Sequence, residues 1–347
     1  MSDQRAWIEA VEGRDLDDAA MRGVMTALMQ GELTPAQMAA LLTGLRMKGE
    51  TIEEIAAAAT VMRDFARRVR VDHPHLVDTC GTGGDGARTF NISTAAAFVV
   101  VAAGGRVAKH GNRSVSSSCG SADVLEALGA RIDLEPEQVA ACIDETGFGF
   151  MLAPAHHPAT RHVAAVRREL GFRTLFNVLG PLTNPAWVRH QVVGVYDPAL
   201  IEPLAHVLGR LGSQHALVVH AEGLDEISIA GSTELAELKG GAVRRLQCVP
   251  EDFGIARQPL EALRVDDVTQ AVAMFRDCLG GGGGAPADAV ALNAGAAIYV
   301  AGLAQTLGAG VARARDLLAG GAALERVDAY VAFCRRQGAD HAPGAPA

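Results

Sequence analysis

Three segments of the sequence concentrate residue types that bind phosphate, and the first of them is rich in glycine. Asp78–Gly86 reads Asp-Thr-Cys-Gly-Thr-Gly-Gly-Asp-Gly, with four glycines in six positions. Because glycine has no Cβ, several backbone N–H groups of such a loop can converge on one anion. The loop is neither a G-x-G-x-x-G nor a Walker A motif, since no Lys-Ser or Lys-Thr follows its last glycine. An ordinary turn would explain it equally well.

The other two segments offer side-chain donors. Asn91-Ile-Ser-Thr94 comes just before an Ala-rich helix predicted over Thr94–Ala103, whose positive N-terminus would suit a phosphate. Ordinary capping of that helix by Asn91 or Ser93 is the alternative. Lys109–Ser118 has two cations, one Asn and four serines in ten residues. Because so many donors stand with so few acceptors, this segment favours anion binding over a solvated loop.

Acidic residues further along the chain suggest a cation site, and a basic cluster could contribute ligand contacts. Asp225 and Glu226 follow a predicted strand, and adjacent carboxylates can hold a hard cation such as Mg²⁺, although a charged turn would look the same. A cluster of basic residues lies near Asn177, and at most one or two of its arginines need contact a ligand. It comprises His156, His157, Arg161, Arg167, Arg168 and Arg173.

These segments need a framework of alternating strands and helices. Residues 4–68 have helical spacing, with Thr34-Pro35 and the capping box of Thr51 and Glu54 marking two helix starts. From residue 76 short β-rich runs alternate with helices, which predicts a sheet with parallel strands and ligands at the strand C-termini. The predicted strands are Leu76–Thr79, Arg106–His110, Phe148–Leu152, Gln191–Val195, Ala216–His220 and Glu226–Ala230. Further helices are predicted at Asp123–Leu128, at Pro198–Leu211 and from about Asp288.

The composition excludes several classes of protein. The chain has 347 residues, 49% of them hydrophobic and 20% charged, which indicates a folded chain with a sizeable core. A net charge of −9 argues against a nucleic-acid binder. We expect no export signal and no membrane segment, because the longest apolar run is about half of what a bilayer requires. Six scattered cysteines predict free thiols in a reducing cytoplasm.

Five motifs occur in an order that resembles anthranilate phosphoribosyltransferases. They are Gly81–Asp85, Asn91–Thr94, Lys109–Arg113, Leu170–Asn177 with Gly180–Pro185, and Gly223–Ser228, and Leu33-Thr34 with Leu45–Thr51 adds to the likeness. The resemblance covers about residues 15–335. It implies transfer of the phosphoribosyl group of 5-phosphoribosyl 1-diphosphate (PRPP) to the amine of anthranilate. The products are N-(5-phosphoribosyl)anthranilate and diphosphate, in the second step of tryptophan synthesis from chorismate.

The resemblance also implies a fold of the kind shared by nucleoside phosphorylases and phosphoribosyltransferases. We expect an α/β protein with a small N-terminal α-helical domain (1–70, completed by a segment near 170–190). A larger α/β domain with a mostly parallel sheet (71–335) would bind PRPP, and 336–347 would be a disordered tail. The family implies a cytoplasmic homodimer joined through the helical domain, with the active site in a hinged cleft and no nucleic-acid or membrane partner.

Site residues follow from the motifs that match the family. Anthranilate would be bound by Gly81, His110, Asn112 and Arg167. PRPP would be bound by Gly81, Gly84, Asp85, Thr89, Asn91, Ser93, Thr94, Lys109, Gly111, Asn112, Arg113, Ser114, Ser116, Ser117 and Ser121. Mg²⁺, two ions per active site, would be held by Ser93, Asp225 and Glu226. No general base or nucleophile is assigned, and Cys80 is interpreted as packing.

Two features of the match leave questions. Ser118-Cys119-Gly120 stands where the family often has Lys-Ser-Gly, so one cation is absent from the phosphate loop. Arg167 is preferred to its neighbour Arg168 by distance from the Leu170-Gly171 motif. Two other functions stay open: a nucleoside phosphorylase, against which the Lys109–Arg113 motif and the acidic pair argue, and a silent relative that binds nucleic acid.

Overall fold

The computed structural model describes residues 6–113 and 119–339, without the side chains of 338 and 339. Four helices come first: α1 (Ala6–Val11), α2 (Asp18–Gln30), α3 (Pro35–Lys48) and α4 (Ile52–Asp64). The two predicted helix starts are confirmed. Thr34 and Thr51 each accept the N–H of the residue three positions on, and Gln37 and Glu54 complete the two capping boxes.

A seven-stranded sheet forms the centre of the remaining chain. Its strands are β1 (Leu76–Asp78), β2 (Arg106–Gly111), β3 (Phe148–Leu152), β4 (His190–Gly194), β5 (His215–Ala221), β6 (Thr233–Lys239) and β7 (Ala242–Cys248). In the order β3-β2-β1-β4-β5-β6-β7, the first five are parallel and the last two antiparallel. The expected α/β fold with a mostly parallel sheet is confirmed.

Helices cover both faces of the sheet. They are α5 (Ile92–Ala102), α6 (Ser121–Ala127), α7 (Pro136–Thr146), α8 (Ala153–His156), α9 (Arg161–Leu170), α10 (Phe176–Leu182), α11 (Ile201–Arg210), α12 (Val268–Leu279), α13 (Ala285–Val300), α14 (Leu307–Ala319) and α15 (Ala322–Ala339). Among the residues described, no helix is long and apolar enough to cross a membrane. The six cysteines are free.

Two hydrophobic cores lie on opposite faces of the sheet. Val192 and Leu217 belong to the core under α5 and α13, whereas their neighbours Val193 and Val218 belong to the core that contains the N-terminal helices. This alternation follows from the two-residue period of a strand. Helices α9 and α10 share the second core with α2–α4. The completion of the helical domain by a segment near 170–190 stays a prediction.

Two sequence expectations about secondary structure are wrong. Glu226–Ala230 is not a strand, because side chains replace a neighbouring strand as backbone partners: Ile227 N donates to Asn293 Oδ1 and Ser228 N to Thr233 Oγ1. The strands β6 and β7 were not predicted. Their hairpin turns at Gly240-Gly241, both with positive φ, and is stabilised across the strands by a Glu237–Arg244 ion pair of 2.7 Å.

Residues 336–339, predicted to be part of a disordered tail, are helical. Helix α15 continues to Ala339. Arg336 extends it because its side chain lies over the Phe333 ring and pairs with Glu145 of α7. Residues 340–347 of the predicted tail lie outside the described residues, as do Ser114, Ser116 and Ser117 of the predicted phosphate loop.

Candidate active site

A cavity of about 470 Å³ opens where the loops after β1 and β2 meet α9, α10 and the segment after β5. All the predicted site residues that the structure describes line it. They are Gly81, Gly84, Asp85, Thr89, Asn91, Ser93, Thr94, Lys109, His110, Gly111, Asn112, Arg113, Ser121, Arg167, Asp225 and Glu226. Strand C-termini position most of them, as expected for a parallel sheet.

The glycine loop after β1 is held open by contacts with the far part of the chain. Gly83 N donates to Asp225 Oδ2 at 2.7 Å, and Thr82 N donates to the carbonyl of Gly194 at 2.8 Å. Gly84 and Gly86 have φ of 80° and 76°, a region that disfavours side chains. Their N–H groups have no hydrogen-bond partner in the described chain. Gly84 lines the cavity, so the loop presents a free amide donor to it, unlike an ordinary turn.

The start of α5 is not capped in the ordinary way. Asn91 makes no side-chain cap, and its Nδ2 instead donates to the carbonyl of Cys119 at 3.0 Å. Ser93 N donates to Glu226 Oε1 at 3.1 Å. The capping explanation for this motif is therefore wrong. Asn91 ties the helix start to the far end of the loop after β2, so that both segments border one cavity.

Lys109 is 2% exposed and lies beneath the site. Its Nζ donates to the carbonyl of Thr79 at 2.8 Å and to Ser93 Oγ at 3.3 Å. Buried Asp78 nearby accepts the His110 N–H and an Asn184 Nδ2 hydrogen, and burial raises the pKa of Asp78 to about 6. The ammonium thus fixes Ser93 and the end of β1 in place.

Three carboxylates converge beside the glycine loop. Asp225 N donates to Asp85 Oδ2 at 3.3 Å, while Asp225 and Glu226 each accept a backbone N–H, from Gly83 and Ser93. Burial, followed by the charge of the neighbouring carboxylates, raises the pKa of Asp225 and of Glu226. None of the three forms an ion pair within the described part of the chain.

This donor set fits Mg²⁺ bound together with a substrate. Mg²⁺ prefers oxygen ligands and is usually held by one or two carboxylates plus phosphates and water. Within the described residues, no group of three or more His, Cys, Asp or Glu side chains is arranged as a complete metal cage. Two adjacent buried carboxylates that form no ion pair with a described side chain, next to a free amide donor, suit such a shared site.

The other end of the cavity is aromatic and mostly uncharged. His110 and His157 lie with ring centroids 5.1 Å apart, and burial lowers the pKa of His110 to about 3 and of His157 to about 4. His110 Nδ1 lies 2.9 Å from the carbonyl of Gly180 and must be the donor, so its Nε2 is an acceptor, and that atom has no partner. The Arg167 guanidinium lies 5.1 Å from the centroid of the Phe176 ring.

Arg167 and Arg168 differ in position. Arg167 is half-buried and lines the cavity, whereas Arg168 is exposed and does not. No hydrogen bond or ion pair reaches the Arg167 side chain from any described residue. Successive residues of a helix are about 100° apart around its axis, so only one of the two can face inward. Buried Val163 and Val166 fix that orientation.

Comparison with known proteins relates most of the chain to one family. Residues 8–66 match the helical bundle domain of a glycosyl transferase family, and residues 73–324 match its a/b domain. The anthranilate phosphoribosyltransferase of Thioalkalivibrio sulfidiphilus is 57% identical over 333 residues, which cover 95% of this chain and 98% of that one. This chain belongs to the anthranilate phosphoribosyltransferase family.

Other members of the family agree in sequence and in structure. The anthranilate phosphoribosyltransferase of Alkalilimnicola ehrlichii is 55% identical over 93% of this chain and 96% of its own. The crystal structure of the Thermus thermophilus enzyme superposes with a TM-score of 0.91 at 48% identity, covering 95% of this chain and 99% of that one. The Saccharomyces cerevisiae enzyme in complex with PRPP and Mg has a TM-score of 0.84 at 26% identity, with 92% and 94% covered.

The phosphate loop of this family member is only partly described. Arg113 pairs with Glu126, and Asn112 accepts through its carbonyl the Ser121 Oγ hydrogen at 3.2 Å. Cys119 is buried, and burial raises the pKa of its thiol to about 11. Burial likewise raises the pKa of the Cys80 thiol, which lies in the cavity wall and stays protonated. Protonated thiols are poor nucleophiles.

Of two further arginines at this active site, Arg88 was not predicted, and Arg173 was placed in the basic cluster without a specific role. Arg88 lines the cavity directly after the glycine loop, and no motif spacing marks it. Arg173 stacks on the Tyr196 ring, with 3.7 Å between guanidinium carbon and centroid, and donates to the carbonyl of Gly84. Its own carbonyl accepts a hydrogen bond of 2.6 Å from Arg46 of α3. Arg173 lies within the Leu170–Asn177 motif, and that motif is the sequence signal that could have identified it.

Proposed function

We propose that the cavity binds PRPP with Mg²⁺ at its glycine-loop end and anthranilate at its aromatic end. The phosphoribosyl group would pass from diphosphate to the anthranilate amine. The observation that carries this proposal is the separation of groups within one cavity. A free amide and unpaired carboxylates lie at one end, and an unpaired guanidinium beside neutral aromatic rings lies at the other.

The glycine-loop end suits a diphosphate. The free N–H group of Gly84, which lines the cavity, can donate to a phosphate oxygen, since no Cβ blocks the approach. Ser93 Oγ, fixed by Lys109, adds a hydroxyl at the positive end of α5. Asp225 and Glu226 would hold the cation, which, when bound, neutralises charge that develops on the leaving diphosphate.

The aromatic end suits anthranilate, which has a carboxylate, an amine and a flat ring. A guanidinium can bind a carboxylate through two parallel hydrogen bonds, and that of Arg167 is free to do so. The Phe176, His110 and His157 rings would contact the aromatic ring. His110 Nε2 is an unprotonated acceptor and could accept a hydrogen bond from the amine.

Charge and orientation supply the catalysis. Breaking the C1–O bond builds positive charge on the ribose and negative charge on the diphosphate, which preorganised N–H and O–H donors stabilise. The anthranilate amine is a weak nucleophile, so holding it in line with C1 supplies much of the acceleration. No residue is assigned as a general base or as a covalent nucleophile.

Product fluorescence provides the test. The purified chain, given anthranilate, PRPP and Mg²⁺, should form N-(5-phosphoribosyl)anthranilate, and a chelator should stop the reaction. Uridine, thymidine or another nucleoside with inorganic phosphate should give no free base. Phosphorolysis without transfer to anthranilate would contradict the proposal and favour the phosphorylase alternative.

Several expectations from the resemblance stay predictions. These are the homodimer through the helical domain, two Mg²⁺ ions per site, the cytoplasmic location, and the absence of nucleic-acid and membrane partners. The roles of Ser114, Ser116 and Ser117 belong with them. Sedimentation of the purified chain tests the dimer, and metal titration tests the number of ions.

A further inference from the structure

Arg88 has an unusual backbone conformation for its residue type. It has φ of 55°, one of only two positive values among the described residues that are not glycine. Its neighbours fix it there: Val265 N donates to the carbonyl of Arg88 at 3.0 Å, and Phe90 N donates to that of Leu263 at 2.9 Å. A left-handed conformation in a residue with a long side chain is costly, and such costs concentrate at functional sites.

The side chain of Arg88 is exposed in the cavity wall without a partner. Four cationic side chains line the cavity: Arg88, Lys109, Arg113 and Arg167. Lys109 donates hydrogen bonds to Thr79 and Ser93, and Arg113 forms an ion pair with Glu126. For Arg88, neither an ion pair nor a side-chain hydrogen bond exists with any residue that the structure describes.

The remaining free cations therefore lie at different ends. Arg167 lies over Phe176 at the aromatic end. Arg88 lies two residues beyond Gly86, the last glycine of the loop, and immediately before Thr89. We propose that Arg88 is a further substrate-binding residue, whose guanidinium contacts a phosphate group of PRPP. This inference rests on the proposed function of the cavity.

Charge complementarity supports this assignment. Asp85, Asp225 and Glu226 give the glycine-loop end three carboxylates, and PRPP carries three phosphate groups. A free guanidinium, whose planar N–H groups match phosphate oxygens, offsets part of that negative charge. Thr89, the next residue, pairs with Arg264 in an isolated β-bridge. The left-handed backbone of Arg88 is explained if it turns the Arg88 side chain away from that bridge and into the cavity.

The test separates the guanidinium from the backbone. Arg88→Asn and Arg88→Gly both remove the cation, and both residue types tolerate φ near 55°. Each should weaken PRPP binding about tenfold, as for loss of one charge-assisted contact. The KM for anthranilate should change less than twofold. The PRPP defect should shrink between about 0.05 and 0.5 M salt, because salt screens exposed charges.

Arg264 provides the matched control. It pairs with Thr89 across the isolated β-bridge, carries the same charge, and lies outside the cavity with Glu261 3.6 Å away. Arg264→Gln should leave PRPP affinity unchanged. The proposal is overturned if folded Arg88→Asn binds PRPP within twofold of the parent, if Arg264→Gln weakens binding equally, or if both substrates are weakened alike.

Calorimetry with simple probes identifies the phosphate and does not depend on turnover. Inorganic diphosphate with Mg²⁺ and ribose 5-phosphate are titrated separately into the parent and Arg88→Asn. A loss confined to diphosphate assigns Arg88 to the leaving group, and one confined to ribose 5-phosphate assigns it to the 5-phosphate. A loss with neither probe overturns the inference. Absence of transfer by the parent enzyme would instead contradict the proposed function, while these titrations would still report on Arg88.

Discussion

Replacement of Arg167 by alanine tests which end of the cavity receives anthranilate. The guanidinium is half-buried, lies over Phe176 and has no anionic partner in the part of the chain that the structure describes. Its removal therefore breaks no ion pair with a described residue and loses only the contact with Phe176, so a loss specific to anthranilate belongs to the ligand. A charge-assisted hydrogen bond contributes about 1.5–3 kcal/mol, which corresponds to roughly a ten- to over a hundredfold loss of kcat/KM.

Steady-state kinetics, followed by product fluorescence, gives the comparison. Arg167→Ala should raise the KM for anthranilate far more than the KM for PRPP. Arg167→Lys should recover only part of the loss, because an ammonium lacks the planar match to a carboxylate. Arg168→Ala is the control and should be mild, since that side chain is exposed and outside the cavity. Equal behaviour of both alanine variants, or an anthranilate-specific defect in Arg168→Ala, would refute the reasoning.

Three further predictions concern the other end of the site. The double substitution Asp225→Asn with Glu226→Gln should abolish Mg²⁺-dependent turnover; undiminished activity with a chelator present would contradict the metal assignment. Gly84→Val should weaken PRPP binding in calorimetry while anthranilate binding persists, because φ is 80° and a Cβ would meet Arg173 Nη2 at 3.3 Å. Asp78 has a pKa of about 6 in the folded protein against an ordinary value of 3.8. Because the folded state binds its proton more tightly, the unfolding free energy should fall by about 3 kcal/mol as pH rises from about 4 to 6. The unfolding free energy of Asp78→Asn, measured by denaturation, should fall less steeply than that of the parent between about pH 4 and 6. Equal slopes for variant and parent would contradict the prediction.

The sequence predicted helices and strands correctly where residues close together in the chain determine them. The capping boxes at Thr34 and Thr51 depend on residues three positions apart, and both form. The parallel strands after residue 76 follow from short apolar runs between helices. The hairpin of β6 and β7 was missed because Thr-Glu-Leu-Ala-Glu-Leu-Lys alternates poorly and its stability comes from pairing across strands.

The site itself depends on contacts that no local pattern encodes. Gly83 and Asp225 are 142 positions apart, yet the amide of one holds the carboxylate of the other. Lys109 lies in the predicted strand Arg106–His110, which forms, but no local pattern shows that its side chain is buried against Thr79 and Ser93. Arg88 carries no motif signal, since its position is defined by a bridge between its neighbour Thr89 and Arg264. Ordered motifs identify the family, whereas burial and partners separate positioning residues from ligand-binding ones.

The pairing of charges across the molecule shows which groups await a substrate. Elsewhere, several buried or half-buried charges have internal partners: Lys48 contacts Glu54 at 2.6 Å, and Glu237 accepts from Arg244 and Tyr299. In the cavity, the carboxylates of Asp85, Asp225 and Glu226 and the guanidinium groups of Arg88 and Arg167 form no ion pair with any residue that the structure describes. Unpaired charges in a partly desolvated site destabilise the free protein, and a ligand that completes the pairs recovers that free energy on binding. A substrate with phosphates at one end, used together with a second that carries a carboxylate, meets that requirement; a neutral nucleoside with inorganic phosphate would leave Arg167 without a partner.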